Sequence, residues 1–469
     1  MTRKIMMPVL ILSLGLILSA CGTGQGLEEE GYIEEYNITE DTEPEPDDDE
    51  VYIINYTPEP VSEMDTSVIR WLVEPTWEFD AVFPFREGLA GVEYFEDEWA
   101  DWGGTHILGY INNQGEIVIP IKYRHHQTFY EYRGAPPFSE GLVGIYSIDD
   151  GGVGFFNAAG ELVIPFSFSD ARNFSYGLVA VRDGNLENGR WGFMDREGNL
   201  VVPFEFDLTS DFSDGLAAVM AGDWESGKWG FIDTQGNMVI EPQFDRFADF
   251  LEFIPRFREG RAALWHGDWE SGGWGFIDTE GKLIVPFIYT SAWDFSGGFA
   301  VVTSGEDHSS SFIDKEGNLL IPFGRYGAAN SFSEGLAAVA VLNQQQQQHR
   351  WEWGFIDTAG NEVIALQFGS VHNFSEGLAA VAPDGWNSPW GFIDAEGNMI
   401  IEPMFSEVRN FSYGFAAVRL SDWGTETWGI IDIKGNIVLP FEFDTVHNFS
   451  EGLAWARQNG KWGILQIVE

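Results

Sequence analysis

From about residue 71 to the end, short apolar runs alternate with turn residues, and no stretch keeps the period of a long amphipathic helix. Leu216-Ala217-Ala218-Val219, Trp229-Gly230-Phe231-Ile232 and Met238-Val239-Ile240 are examples. Each run is short, partly β-branched or aromatic, and bounded by Gly or Pro, so each predicts a strand. In FIDTQGNMVI (231–240) the middle reads as a tight turn. Asp233 can accept a hydrogen bond from turn backbone and Gly236 can take a positive φ, which makes a hairpin. Pro242 is expected to end the second strand of that hairpin, because proline has no donor for a ladder. Each unit is thus expected to give three short antiparallel strands with two hairpins, and the class is all-β.

Strand alternation assigns the faces. Trp229, Phe231 and Asp233 point one way, Gly230 and Ile232 the other. Both faces are therefore apolar or small, and both must be covered. One unit of this size cannot cover itself, so it is expected to stack between neighbours. Trp supplies a large area to bury, and Gly is expected to leave room for the backbone of the next unit.

Two phrases recur in alternation. F-S-E-G-L-A-A-V and its variants lie around Phe85, Phe138, Phe174, Phe212, Phe257, Phe295, Phe332, Phe374, Phe411 and Phe449. W-G-F-I-D-x-x-G-N-x-V-I-P lies around Trp191, Trp229, Trp274, Trp353, Trp390 and Trp428, with degenerate copies at Gly109, Gly154 and Ser311 and a truncated one at Trp462. Most copies are 36 to 45 residues apart. Such periodicity marks a repeat architecture. The phrases resemble the WG-repeat family, named for its Trp-Gly pair, and the resemblance spans nearly all of residues 67–469. It departs from the pattern at Tyr110, at Val153-Gly154 and at Ser310-Ser311-Phe312. The resemblance implies an all-β repeat array, with no reaction and no agreed ligand.

Two arrangements satisfy this pattern, an open solenoid-like array and a closed β-propeller. About ten units exceed the usual four to eight blades, which favours the open array. On the other side, Trp71-Leu72-Val73-Glu74-Pro75 resembles a third strand and the terminal WGILQIVE a second one, so the two ends could complete one unit.

The first 20 residues read as a signal peptide, with a basic start, an apolar core and small residues before Cys21. Leu18-Ser19-Ala20-Cys21 matches the bacterial lipobox, which implies lipidation of Cys21, the sole cysteine. An ordinary signal peptide with a chance cysteine is the alternative. Residues 21–66 lack Lys and Arg and are rich in Glu, Asp, Pro and Thr, so a disordered, self-repelling linker is expected. The expected location is the extracytoplasmic face of a bacterial cell membrane, held by a lipid anchor. The chain carries a formal net charge of −49, which argues against nucleic acid as a partner.

The chain has no G-x-S-x-G elbow, H-E-x-x-H, P-loop or C-x-x-C. The recurring acids Asp195, Asp233, Asp278, Asp357 and Asp394 share one turn position, where a catalytic pair would be unique. His125-His126 with Glu131, in the longest insertion, lacks a defined ligand spacing and reads as solvated loop. His372 and His447 share one place in V-H-N-F-S and are expected to pack within the repeat. DGNLENG (183–189) lacks the glutamate spacing of an EF-hand. No catalytic residue, metal or cofactor is expected.

What stands out is a set of extra tryptophans in loops between the A-A-V and W-G-F strands: Trp224, Trp269, Trp351, Trp386 and Trp423. A shared loop position would align them along one edge, where exposed aromatics suit a glycan or a protein partner. Each could instead fold over its own hairpin. The reading is a non-enzymatic binding or scaffold lipoprotein that engages an extracellular protein or cell-envelope glycan. Trp224, Trp269, Trp386 and Trp423 are its first candidates. An envelope polysaccharide-active enzyme and a structural spacer are the alternatives.

Overall fold

The computed structural model describes residues 68–96, 104–126, 134–185, 188–222, 226–246, 253–268, 271–343, 350–385, 387–420 and 427–468. Cys21, the acidic linker, Glu131 and the loop residues Trp224, Trp269, Trp386 and Trp423 fall outside them. Every described element is a β-strand, arranged in small antiparallel sheets. The all-β repeat expected from the pattern is present.

The unit around Trp229 shows the plan. Its strands Leu208–Thr209, Leu216–Ala221, Lys228–Asp233 and Met238–Asp245 pair in sequence order. Three strands were expected, with the last one ended by Pro242. That strand instead runs on through Pro242 across a bulge to Asp245, and most units have four strands. The added one is a two-residue segment that continues the last strand of the unit before, as Leu200–Phe206 runs on into Leu208–Thr209. At Met399–Val408 the continuation is unbroken and fuses two units into one seven-stranded sheet. The units at Leu142–Phe168 and Ser291–Asp314 keep three strands.

A third hairpin also went unread. In Ser213-Asp214-Gly215-Leu216 the two end residues exchange backbone hydrogen bonds of 2.8 and 3.1 Å. Asp214 and Gly215 take φ of 51° and 81°. Two successive positive φ values are the signature of a type I′ turn, whose twist matches that of the flanking strands.

Both faces of each sheet are buried, as alternation required. Trp229 and Phe231 lie in the core shared with the following unit. Ile232 lies in the core shared with the preceding one. Phe231 and Ile232 are fully inaccessible to solvent. The glycine of the Trp-Gly pair has a different role from the one expected. A Cβ on Gly230 would lie 2.5 Å from the Ile240 carbonyl oxygen, which belongs to the neighbouring strand of the same sheet. The register shifts at that point, between Trp229 and Phe231. The glycine therefore admits a bulge in its own sheet, where the bulged strand approaches too closely for a side chain.

The two ends of the array meet. Ile69–Trp77 pairs antiparallel with Lys461–Ile467 and takes the place of the fourth strand of the last unit. Phe79, Val82 and Phe85 of the first unit share a core with Leu453, Trp455 and Trp462 of the last. Ten units in an open row would have nine shared cores, yet among the described residues ten cores join the ten units. Of the two arrangements that the repeat allowed, with the open array preferred, this pairing is the one a closing ring requires. The resemblance of the two termini to halves of one unit was the signal.

Candidate functional site

Each sheet has two chemically different ends. The second strand leaves the type I′ turn and runs to the loop, and the third strand returns from that loop to the D-x-x-G turn. In such a sheet both tight turns therefore lie at one end, and the loop between the second and third strands opens at the other.

At the turn end every recurring acid is engaged by backbone. Asp233 Oδ1 accepts from the Gln235 and Asn237 amides at 2.9 and 2.8 Å, and Oδ2 accepts from Asn237 Nδ2 at 3.0 Å. The Asn237 side chain and these amides hold its carboxyl below the usual carboxylate range. Asp195, Asp357 and Asp394 are lowered in the same way, led by the Asn at the fourth position onward. The acid of the type I′ turn reaches the next unit. Glu334 accepts from the Glu376 and Gly377 amides at 2.7 and 2.8 Å, and Glu376 from the Tyr413 and Gly414 amides at 2.6 and 2.7 Å. The same link crosses the seam, where Glu451 accepts from the Glu87 and Gly88 amides at 2.6 and 2.8 Å. Ser450 Oγ also donates to the Phe85 carbonyl there at 2.7 Å, as Ser375 does to Phe411 at 2.8 Å. These acids anchor turns and join units.

The histidines of the V-H-N-F-S phrase pack on the framework tryptophans, as expected. His372 lies 4.8 Å from Trp390 between ring centroids, and His447 lies 5.2 Å from Trp462. Arginine fills the same place over Trp191 and Trp428. Burial, then the Arg409 charge, push His447 down to about 4.

At the loop end, Trp351 is the one candidate tryptophan within the described residues. It lies on the strand Arg350–Asp357 opposite Leu342 and stays 37% exposed. Its ring rests over Gly327 of the same unit, so close that a Cβ there would sit 2.8 Å from it. The Asn185–Gly189 hairpin closes on itself, with the Gly189 amide donating to the Asn185 carbonyl at 2.7 Å.

One cluster at this end belongs to a single unit. The first unit extends its ladder beyond the repeat, pairing His106 with His125 and Phe95 with His106. Alternation then puts Glu93, Phe95, His106 and His125 on one face across three adjacent strands. His106 Nδ1 lies 2.8 Å from one Glu93 oxygen, and His125 Nε2 lies 3.2 Å from the other. The Glu93 and His106 side chains are 1% and 4% exposed, that of His125 12%. The expectation of solvated loop histidines fails for His125, which stands on the strand Ile117–His126. Glu93 and His106 were missed. The available signal was an acid at Glu93, where no other aligned phrase carries one: the position holds Arg182, Arg419 or Arg457 in three units and Tyr146, Met220, Trp265, Thr303, Ala340 or Ala382 in the others. An apolar cavity of about 250 Å³, lined by Phe83, Tyr110 and Pro136, lies beside the same unit and gathers no comparable set of polar groups.

The family of WG containing repeats matches the chain over ten segments: residues 70–99, 109–146, 154–186, 191–223, 229–263, 274–306, 311–343, 353–384, 390–422 and 428–462. No curated protein matches the chain. Among solved structures, a eukaryotic initiation factor is similar at a TM-score of 0.43 and 11% identity, over 77% of this chain and 96% of that one. The tricorn protease is similar at a TM-score of 0.25 and 14% identity, over 82% of this chain and 43% of that one. The β-propeller domain of the Trilobed protease from Pyrococcus furiosus is similar at a TM-score of 0.29 and 10% identity, over 65% and 95%.

Proposed function

The chain belongs to the family of WG containing repeats, and from that premise we propose that it is a non-enzymatic binding or scaffold protein. In this reading it is exported, held by a lipid at Cys21 to the outer face of a bacterial membrane, and spaced from it by the acidic segment. The partner is an extracellular protein or a cell-envelope glycan. The contact is made by the loop end of the sheets, with Trp224, Trp269, Trp386 and Trp423 as anchors.

One observation carries this reading: the chemistry of the two ends is divided. The repeated acids, which are the most numerous candidate catalytic groups, are spent on turn and inter-unit hydrogen bonds. The loops at the opposite end vary in length and sequence, and five of them carry a tryptophan between the A-A-V and W-G-F phrases. A rigid frame with variable aromatic loops suits recognition, since ordering costs are met by the frame before binding.

The test is binding of the full chain to a panel of envelope glycans and peptidoglycan fragments, followed by tryptophan fluorescence. The control carries alanine at Trp224, Trp269, Trp386 and Trp423. Saturable binding that the control loses supports a glycan partner at the loop end. No glycan binding, with a crosslinked protein on intact cells that the control fails to capture, supports a protein partner. Any binding that the control retains in full would sink the loop-end reading.

A further inference from the structure

We propose that Glu93, His106 and His125 form a binding site for one Zn²⁺ ion at the loop end of the first unit. Their ligand atoms all lie within 4.8 Å of one another. Tetrahedral zinc at about 2.0–2.1 Å holds nitrogen and oxygen donors roughly 3.3 Å apart. The two nitrogen–oxygen separations, 2.8 Å to one Glu93 oxygen and 3.2 Å to the other, both fall just below that spacing, so a small outward adjustment of the side chains meets it.

Three features favour an ion over a purely structural cluster. A carboxylate as buried as Glu93 is costly unless it is paired. Each histidine gives it a single hydrogen bond, whereas Zn²⁺ is attracted to the carboxylate and to both imidazoles together. Next, the donors come from three adjacent strands, Leu89–Phe95, Thr105–Asn112 and Ile117–His126, paired in register. Strand-borne donors hold their positions better than loop-borne ones. Finally, the cluster breaks the repeat. Where the nine other aligned phrases place Arg182, Met220, Trp265 or another residue that is not acidic, this unit places an acid, and it extends two strands to bring histidines beside it. A framework group would recur; this one does not.

Two imidazoles and one carboxylate are a donor set typical of zinc, with the fourth position left to water. His125 is the member nearest solvent, so the open position faces out on its side. The Phe95 ring packs 4.6 Å from that of His106 and shields the other side. The ion would clip the extended ends of three strands together.

The test uses the full chain, stripped with chelator and dialysed against Zn²⁺ with excess Mg²⁺ to occupy the acidic surface. One tightly held Zn²⁺ per chain is expected. Glu93→Gln and His125→Asn should each weaken it by about 100-fold or more, since loss of a supporting group alone costs 10–100-fold. Co²⁺ in place of Zn²⁺ should give the intense visible absorption of a four-coordinate site, and Zn²⁺ should bleach it. Unaltered binding in both variants, or no zinc retained by the parent chain, overturns the proposal. Should a variant fail to fold, the Co²⁺ spectrum of the parent chain decides: absent or octahedral-type weak bands overturn it. Because the four loop tryptophans are not involved, their alanine variant should bind Zn²⁺ like the parent. The outcome is thus independent of whether the glycan or protein partner is found.

Discussion

The turn end and the loop end of each sheet are built under opposite rules. At the turn end the same few residues recur with the same hydrogen bonds: Asp233 caps its own turn, and Glu376 holds the next unit's amides. At the loop end the units diverge, from the extended ladder at His106 and His125 to the exposed ring of Trp351. The difference teaches that repetition marks structural work here and departure from repetition marks candidate chemistry. An acid that recurs from unit to unit anchors a turn. Glu93 is the one acid at a position where the other units carry arginine, threonine or apolar and aromatic residues, and it faces two histidines instead of turn backbone.

The comparison can be broken most severely through the framework that both ends share. Trp229→Ala removes a side chain that is 1% exposed from the core between two units, and truncations of this kind cost about 3–5 kcal/mol. Denaturant unfolding should show that loss, and a near-neutral result would mean that the cores do not carry the ring.

Acid should act next, between the two ends. Burial and the Arg409 charge hold His447 at about 4 in the folded chain, against an ordinary value of about 6.5. The unfolded chain binds the proton first as pH falls. Stability is therefore complete above about 6.5, falls between about 6.5 and 4, and loses nothing more from this group below that. The shift amounts to about 3 kcal/mol. His447→Phe should flatten that part of the stability–pH curve. A curve unchanged by the substitution would place the titration elsewhere. At lower pH the depressed turn acids Asp195, Asp233, Asp357 and Asp394 add a second loss, below their unfolded values.

A smaller effect is expected at the turn end itself. Glu451→Gln keeps the shape but removes the charge that accepts from two amides across the seam, and such bonds are worth about 1–3 kcal/mol. Exposure places this case at the low end. Hydrogen exchange should quicken at Glu87 and Gly88 before it quickens at distant turns. Uniform protection would show that the seam is held by its core alone. The smallest effect is expected at the loop end, where Trp351→Ala should change stability by less than about 1 kcal/mol, because the ring is over a third exposed. A large loss there would mean that loop tryptophans are framework after all.

Much of this molecule follows from short-range sequence. Strand runs such as Trp229–Ile232, the Asp233–Gly236 turn and the two apolar faces were readable because each depends on neighbours within a few residues. The additional turn at Asp214–Gly215 could have been read too, since an acidic residue before Gly between apolar runs is a hairpin signal. Its bridge to Gly260 of the next unit, by contrast, depends on stacking. The tertiary structure alone decided three things. It joined Ile69–Trp77 to Lys461–Ile467 across almost the whole described chain. It set Gly230 against the bulge of its own sheet and not against the next unit. And it brought Glu93 to His106 and His125, which lie 13 and 32 residues away. Each of these rests on strand register and on which unit stacks against which. Register is fixed by hairpin lengths and bulges acting together, and one residue of slip would turn every side chain to the opposite face. Local pattern determines that a strand forms and which of its residues are apolar; the packed ring determines what those residues meet.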